Sequence, residues 1–232
     1  MNLELCTDCL EGAILAEKYG FSRIELCSAL SEGGLTPSIG LIRACTEETD
    51  SVGVHVMIRT RGGSFTCQET EFKVMLEDIE HAARAGAEGV VFGILDASGR
   101  ISEKNSELLE IAHENGIQAT FHRAFDQVKD PMDALQTLVD MGFDRLLTSG
   151  LKEKAIQGLE LIQNMQKSFG QKIEIMAGSG VNLENALKLS ETGIDNLHFT
   201  ARKLADEEVV KGMGVKMITD EQKMSAIRDI FI

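Results

Sequence analysis

Two triplets with the same letters, Glu4-Leu5-Cys6 and Glu25-Leu26-Cys27, set a carboxylate and a thiol two residues apart at two points of the chain. Two residues is the repeat of one strand face, so within each triplet the acid and the thiol point the same way. His55, Met57 and Arg59 keep that spacing, as do Thr120 with His122 and His198 with Thr200. His122 is followed by Arg123, with Asp126 close behind, which supplies an imidazole for acid–base work and a guanidinium that can clamp an anion. Gly178, Ser179 and Gly180 form a glycine-rich turn of the kind whose backbone N–H groups cradle phosphate or carboxylate, and Arg202 can add charge to it. The competing reading of that stretch is a tight strand-to-helix turn.

Cys6 and Cys27 would close neighbouring strands, roughly 4.8 Å apart. Two thiolates at that separation can hold Cu(I), which prefers soft sulfur ligands, with Met57 near by. The bland alternative is that both are small buried hydrophobes. The Cys6-x-x-Cys9 spacing is read as coincidence, because Cys9 would fall in a helix. Cys45 reads as helix packing, and Cys67 sits in the first turn of a helix.

The elements that must position these residues alternate regularly. Strands are expected at 2–6, 23–27, 53–59, 89–93, 118–122, 144–148, 172–176 and 196–200. Each is followed by a helix that ends near a glycine such as Gly20, Gly86, Gly116, Gly142 or Gly193. Thr36-Pro37 is expected to start the second helix, and Thr66 with Glu69 to form a capping box for the third. Asp130-Pro131 and Asn182 are the expected starts of two later helices, and Thr219 with Gln222 is expected to open the last. Eight β–α units predict an α/β fold, a TIM (β/α)8 barrel over residues 1–232 as one domain. Its last unit is irregular, with an extended loop over 203–218. An open doubly wound sheet is the competing arrangement, but no strand is followed by a GxGxxG turn.

Strands of a parallel barrel are usually apolar on both faces. Here Leu3, Leu5, Ile24, Leu26, Val54, Val56 and Ile58 make one face, which must meet the helices. The polar face then points into the barrel. Buried carboxylates need partners, and Arg59, Arg123, His55 and His122 are the candidates for Glu4 and Glu25. Glu25, His55, Arg59, His122 and Arg123 are therefore the candidate acid–base and anion-holding set, at the strand ends where this fold keeps its sites.

Composition narrows the partners. A net charge of −14 across 232 residues disfavours nucleic acid and anionic membrane surfaces. No apolar run approaches the roughly 20 residues of a spanning helix, and the start MNLELCTDCL has no cationic region of a signal peptide. Five cysteines read as reduced thiols of a cytoplasmic protein.

RIELCSALSEGGLTPSIG, HVMIRTRGGSF, GVVFGILDASGRI, TFHRAFD, DRLLTSG and the MAGSGVN…LHFTAR tail resemble the CutC family, called copper homeostasis proteins. The resemblance runs from Glu4 to Arg202. It implies a cytoplasmic TIM barrel, a tendency to self-associate as a homodimer, a role in copper tolerance, and Cu(I) held by Cys6 and Cys27. The chain departs from the family's common pattern at Thr60 and Ser64 of RTRGGSF, at Ala177 and Ser179 of MAGSGV, and at Leu151 of TSGL, the last two standing where glycine is usual. Alongside copper, the gathered acids, histidines and arginines suit an enzyme that acts on a small phosphorylated or carboxylated metabolite.

Overall fold

A computed structural model describes residues 1–206, 210–211 and 214–231. Eight parallel strands close into a barrel in sequence order: β1 (Asn2–Thr7), β2 (Arg23–Leu26), β3 (Gly53–Met57), β4 (Gly89–Phe92), β5 (Gln118–Phe121), β6 (Arg145–Thr148), β7 (Glu174–Ala177) and β8 (Asn196–Thr200). The helices are α1 (Leu10–Lys18), α2 (Ile39–Glu47), α3 (Glu69–Arg84), α4 (Lys104–Glu114), α5 (Pro131–Met141), α6 (Leu159–Phe169), α7 (Ala186–Ser190) and α8 (Glu221–Arg228). This is the TIM barrel expected from the alternation of units. The ring closes where β8 pairs with β1, with Glu4 opposite His198 and Cys6 opposite Thr200.

Period-two alternation builds the two layers of the core. Leu3, Leu5, Ile24, Leu26, Val54, Val56 and Ile58 face outward into one apolar layer under the helices. The opposite parity leaves Cys6, Cys27, Met57 and Val91 as a separate small cluster inside the barrel. Each fully buried Leu or Ile in the outer layer contributes about 1.5–3 kcal/mol. That layer carries most of the stabilisation and leaves the interior face able to hold polar groups.

Helix starts differ locally from expectation. Ser38, not Thr36, caps α2, accepting from the Leu41 N–H, while the Thr36 hydroxyl accepts from the Arg59 N–H at 3.0 Å. The box at α3 lies two residues further on, where the Gln68 N–H donates to Glu71 at 2.8 Å. Asp130 caps α5 as expected. The helix expected from Asn182 is only the five residues of α7, and Asp220 rather than Thr219 caps α8. The loop expected over 203–218 begins and ends in an antiparallel pair, β9 (Arg202–Leu204) with β10 (Met217–Thr219); residues 207–209 and 212–213 lie outside the described ones.

Candidate functional site

The polar residues inside the barrel form a network on β8, β1 and β2. Glu4 is 1% exposed and takes two charged partners, Arg23 Nε at 3.0 Å and His198 Nδ1 at 2.8 Å. Arg23 Nη2 donates on to Asn196 Oδ1 at 2.7 Å. These two partners, not Arg59 or Arg123, answer the need of Glu4. Parity explains the placement: Arg23 lies two residues before Glu25, and Asn196 two before His198, so all four side chains share the inner face.

One strand position nearer the mouth, Cys6 stands opposite Glu25 in the β1–β2 register. Glu25 Oε2 accepts from Cys27 Sγ at 3.5 Å and lies 3.8 Å from His198 Nε2. The ligand atoms of Cys6, Glu25 and Cys27 all lie within 4.8 Å of one another, and so do those of Glu4, Glu25 and His198.

The charges settle in alternation. Burial alone would push Glu4 up, but His198 and Arg23 outweigh it and hold the carboxyl well below its usual range. Hydrogen bonding from Cys27, assisted by His198, overcomes burial at Cys6 and lowers its thiol to about 5. Burial, reinforced by the charge on Cys6, pushes Glu25 well up, and the bond to Cys6 together with burial does the same to Cys27. Burial would lower His198, yet Glu25, Cys6 and Glu4 together raise it well above an ordinary imidazole. The neighbours thus favour the charged forms of Glu4, His198 and Cys6 and the neutral forms of Glu25 and Cys27.

A cavity of about 600 Å³ opens above this floor. Cys6, Glu25, Met57 and His198 line its lower part, and Arg59, His122, Arg123, Ser179, Gly180 and Arg202 its upper part. Eight of the eleven candidate residues thus meet around one space. The other three lie just outside its lining. His55 is buried, with no hydrogen-bond partner at Nδ1, and burial lowers it to about 3. Cys27 is fully buried behind Gly34, where an added Cβ would stand 3.0 Å from its Sγ. Gly178 packs so closely on Leu147 and His198 that a Cβ there would come within 2.6 Å of Leu147.

Two of the expected anion holders are already engaged. Arg59 Nη1 donates to the carbonyls of Glu32 at 2.9 Å and Gly34 at 3.2 Å, and Nη2 to that of Gly63 at 3.0 Å. It thereby ties the loop after β3 to the loop after β2. Arg123 Nε pairs with Asp126 at 2.8 Å, and Nη2 donates to Ser149 Oγ at 3.2 Å. His122 is neutral, lowered to about 3 by burial and by Arg59. Its Nδ1 accepts the Ala124 N–H at 3.3 Å, which puts the ring proton on Nε2. Ser179 and Leu151, the two sites where glycine is usual in the resembled pattern, hold φ +85° and +60°.

An eight-stranded barrel with a thiol, an imidazole and acids buried at its open end defines a (β/α)8 protein with a candidate site at the usual end of the fold. A family model described as the CutC family matches residues 1–203, and the chain belongs to that family. It is 41% identical over 238 residues to the family protein CutC of Glaesserella parasuis serovar 5, covering 98% of this chain and 97% of that protein. With the family protein CutC of Bacteroides fragilis it shares 42% over 215 residues, 92% of this chain and 83% of the relative. The crystal structure of the CutC of Streptococcus agalactiae, a candidate copper homeostasis protein, superposes with a TM-score of 0.79 at 34% identity, covering 85% of this chain and 97% of that one.

Proposed function

We propose that this chain binds Cu(I) at the barrel mouth through Cys6 and Cys27 and serves copper homeostasis in the cytoplasm. The observation that carries this reading is the approach of the two sulfurs and a Glu25 oxygen to within 4.8 Å of one another, with Met57 in the same buried cluster as the cysteines. Thiolate and thioether are the ligands Cu(I) prefers. Cys6 is already deprotonated, and Cys27 gives up its proton when the ion arrives, so uptake releases acid. The candidate role of the Streptococcus agalactiae relative supports the assignment. Five unpaired cysteines fit a reducing compartment, and among the described residues no helix is long and apolar enough to cross a membrane. The family resemblance further supports a homodimer, which sedimentation would test. The functional test is an anaerobic competition titration against a chromophoric Cu(I) chelator. The wild-type chain should take up one equivalent, and the double variant Cys6→Ser/Cys27→Ser none; equal uptake by both removes the reading.

A second reading rests on a different observation. A cavity of about 600 Å³ is of the size that takes a small organic ligand and far exceeds what an ion needs. Its lining includes Glu25, whose carboxyl burial pushes well up, His122 as a neutral Nε2–H donor, and Arg123 and Arg202 in its upper part. This set suits an enzyme that moves a proton on a small phosphorylated or carboxylated metabolite. A panel of such compounds should raise the melting temperature, and a panel without any shift counts against the reading.

A further inference from the structure

Two buried side-chain atoms without a hydrogen-bond partner belong to residues that line the mouth cavity. One is Glu25 Oε1, on a residue 3% exposed in the lower part. The other is Arg202 Nε, in the upper part, whose guanidinium is tied, among the described residues, through Nη2 to Asp8 at 3.1 Å. Buried polar atoms are nearly always satisfied, so an orphan on a residue that lines a cavity marks a side chain that a ligand atom would engage, with a small turn to bring the buried atom to the cavity. The two orphans ask for different atoms. Arg202 Nε–H is a donor only, and an anionic oxygen suits it. Glu25 Oε1 accepts when the carboxyl is ionised and can carry the proton when it is not. A hydroxyl is both donor and acceptor, so it satisfies that oxygen in either state. Leu30, Met57 and Val181 supply apolar wall to the same cavity.

We propose that the mouth takes a hydroxylated organic phosphate or carboxylate, with its anionic group on Arg202 beside Ser179 and Gly180 and a hydroxyl on Glu25 Oε1. The inference rests on the reading of the mouth as a metabolite site and names the ligand class of that site. It shares Glu25 with the candidate copper group, but Arg202 lies outside that group.

The test compares matched pairs by calorimetry on the full chain: glycerol 3-phosphate against propyl phosphate, and glycerate against propionate. Within at least one pair the hydroxylated member should bind about tenfold tighter, the strength of one well-made hydrogen bond to a buried group. Glu25→Leu should collapse that preference, whereas Glu25→Gln, which keeps the shape and both hydrogen-bonding roles, should retain it. Arg202→Gln should weaken both members alike, by about tenfold. Equal binding within both pairs overturns the inference while leaving an anion site in place. A preference that survives Glu25→Leu overturns it as well. Failure of all four probes to bind overturns the inference together with the metabolite reading.

Discussion

Two sides of one barrel hold the same side chain in opposite states. On the β8–β1–β2 side, His198 is met by Glu4 at 2.8 Å and Glu25 at 3.8 Å, with Cys6 adjoining, and it carries a proton. On the β3–β5 side, His55 and His122 are equally buried and both are lowered to about 3. Burial dominates: at His55 the opposing charge of Glu4 is not enough to offset it together with Arg145 and Arg23, while at His122 Arg59 adds to it. Burial pushes all three the same way. The charge of Glu25 together with hydrogen bonds to Cys6 and Glu4 reverses the outcome at His198, whereas the charge of Glu4 by itself does not at His55, which is why only the first side can hold a thiolate–imidazolium pair. The neutral side fits its rings by omitting side chains: a Cβ on Gly89 would stand 2.4 Å from the His55 ring, and one on Gly93 would stand 2.7 Å from His122 Nδ1.

The contrast breaks most severely at Glu4. Glu4→Ala strands Arg23 and His198 as buried charges without their carboxylate and should cost about 3–5 kcal/mol in chemical denaturation. Glu4→Gln, which keeps the shape, should cost less. On the neutral side the damage is steric. Gly89→Ala should cost about 1–3 kcal/mol by displacing the His55 ring, with no effect on the state of His198.

Acid should separate the two sides as well. His55 and His122 have folded values near 3 against about 6.5 when unfolded. Between those limits the unfolded chain binds more protons, so stability falls as pH drops below about 6.5 and continues to fall towards 3. Each of the two contributes about 1.4 kcal/mol per pH unit inside that window. Urea melts between pH 7 and pH 5 should show a shallower loss in His55→Gln than in the wild type. The smallest effect belongs to Ser179, a serine held at φ +85°. Ser179→Gly should gain about 1 kcal/mol, because glycine adopts that conformation without the Cβ penalty, and a loss instead would mean that the hydroxyl bond to the Glu153 carbonyl at 2.7 Å outweighs the relief.

Much of this was legible in the sequence because parity is legible. Alternation along Leu3–Cys6, Ile24–Cys27 and Val54–Ile58 assigns each residue to a face, and eight repeats close the barrel. The same parity would have placed Arg23 and Asn196 inside, had it been extended to the first residues of β2 and β8. What alternation does not encode is the course of the loops. Arg59 and Arg123 have the chemistry of anion holders, yet the donors of Arg59 go to loop carbonyls, whose chain paths alternation does not encode, and Arg123 pairs with Asp126 only three residues on. Thr36 has the look of a helix cap because Pro37 follows it, but its hydroxyl accepts from the Arg59 N–H just past the end of the neighbouring strand β3.

The alternation of charge around Cys6 underlies both readings of the mouth, and nitrogen-15 NMR of the five histidines across pH tests it most directly. His198 should remain doubly protonated through neutral pH and lose its proton only well above the ordinary imidazole value of about 6.5. His55 and His122 should stay neutral down to the acid limit of the folded protein. A His198 that titrates near 6.5 would contradict the ion pair on which the site is built.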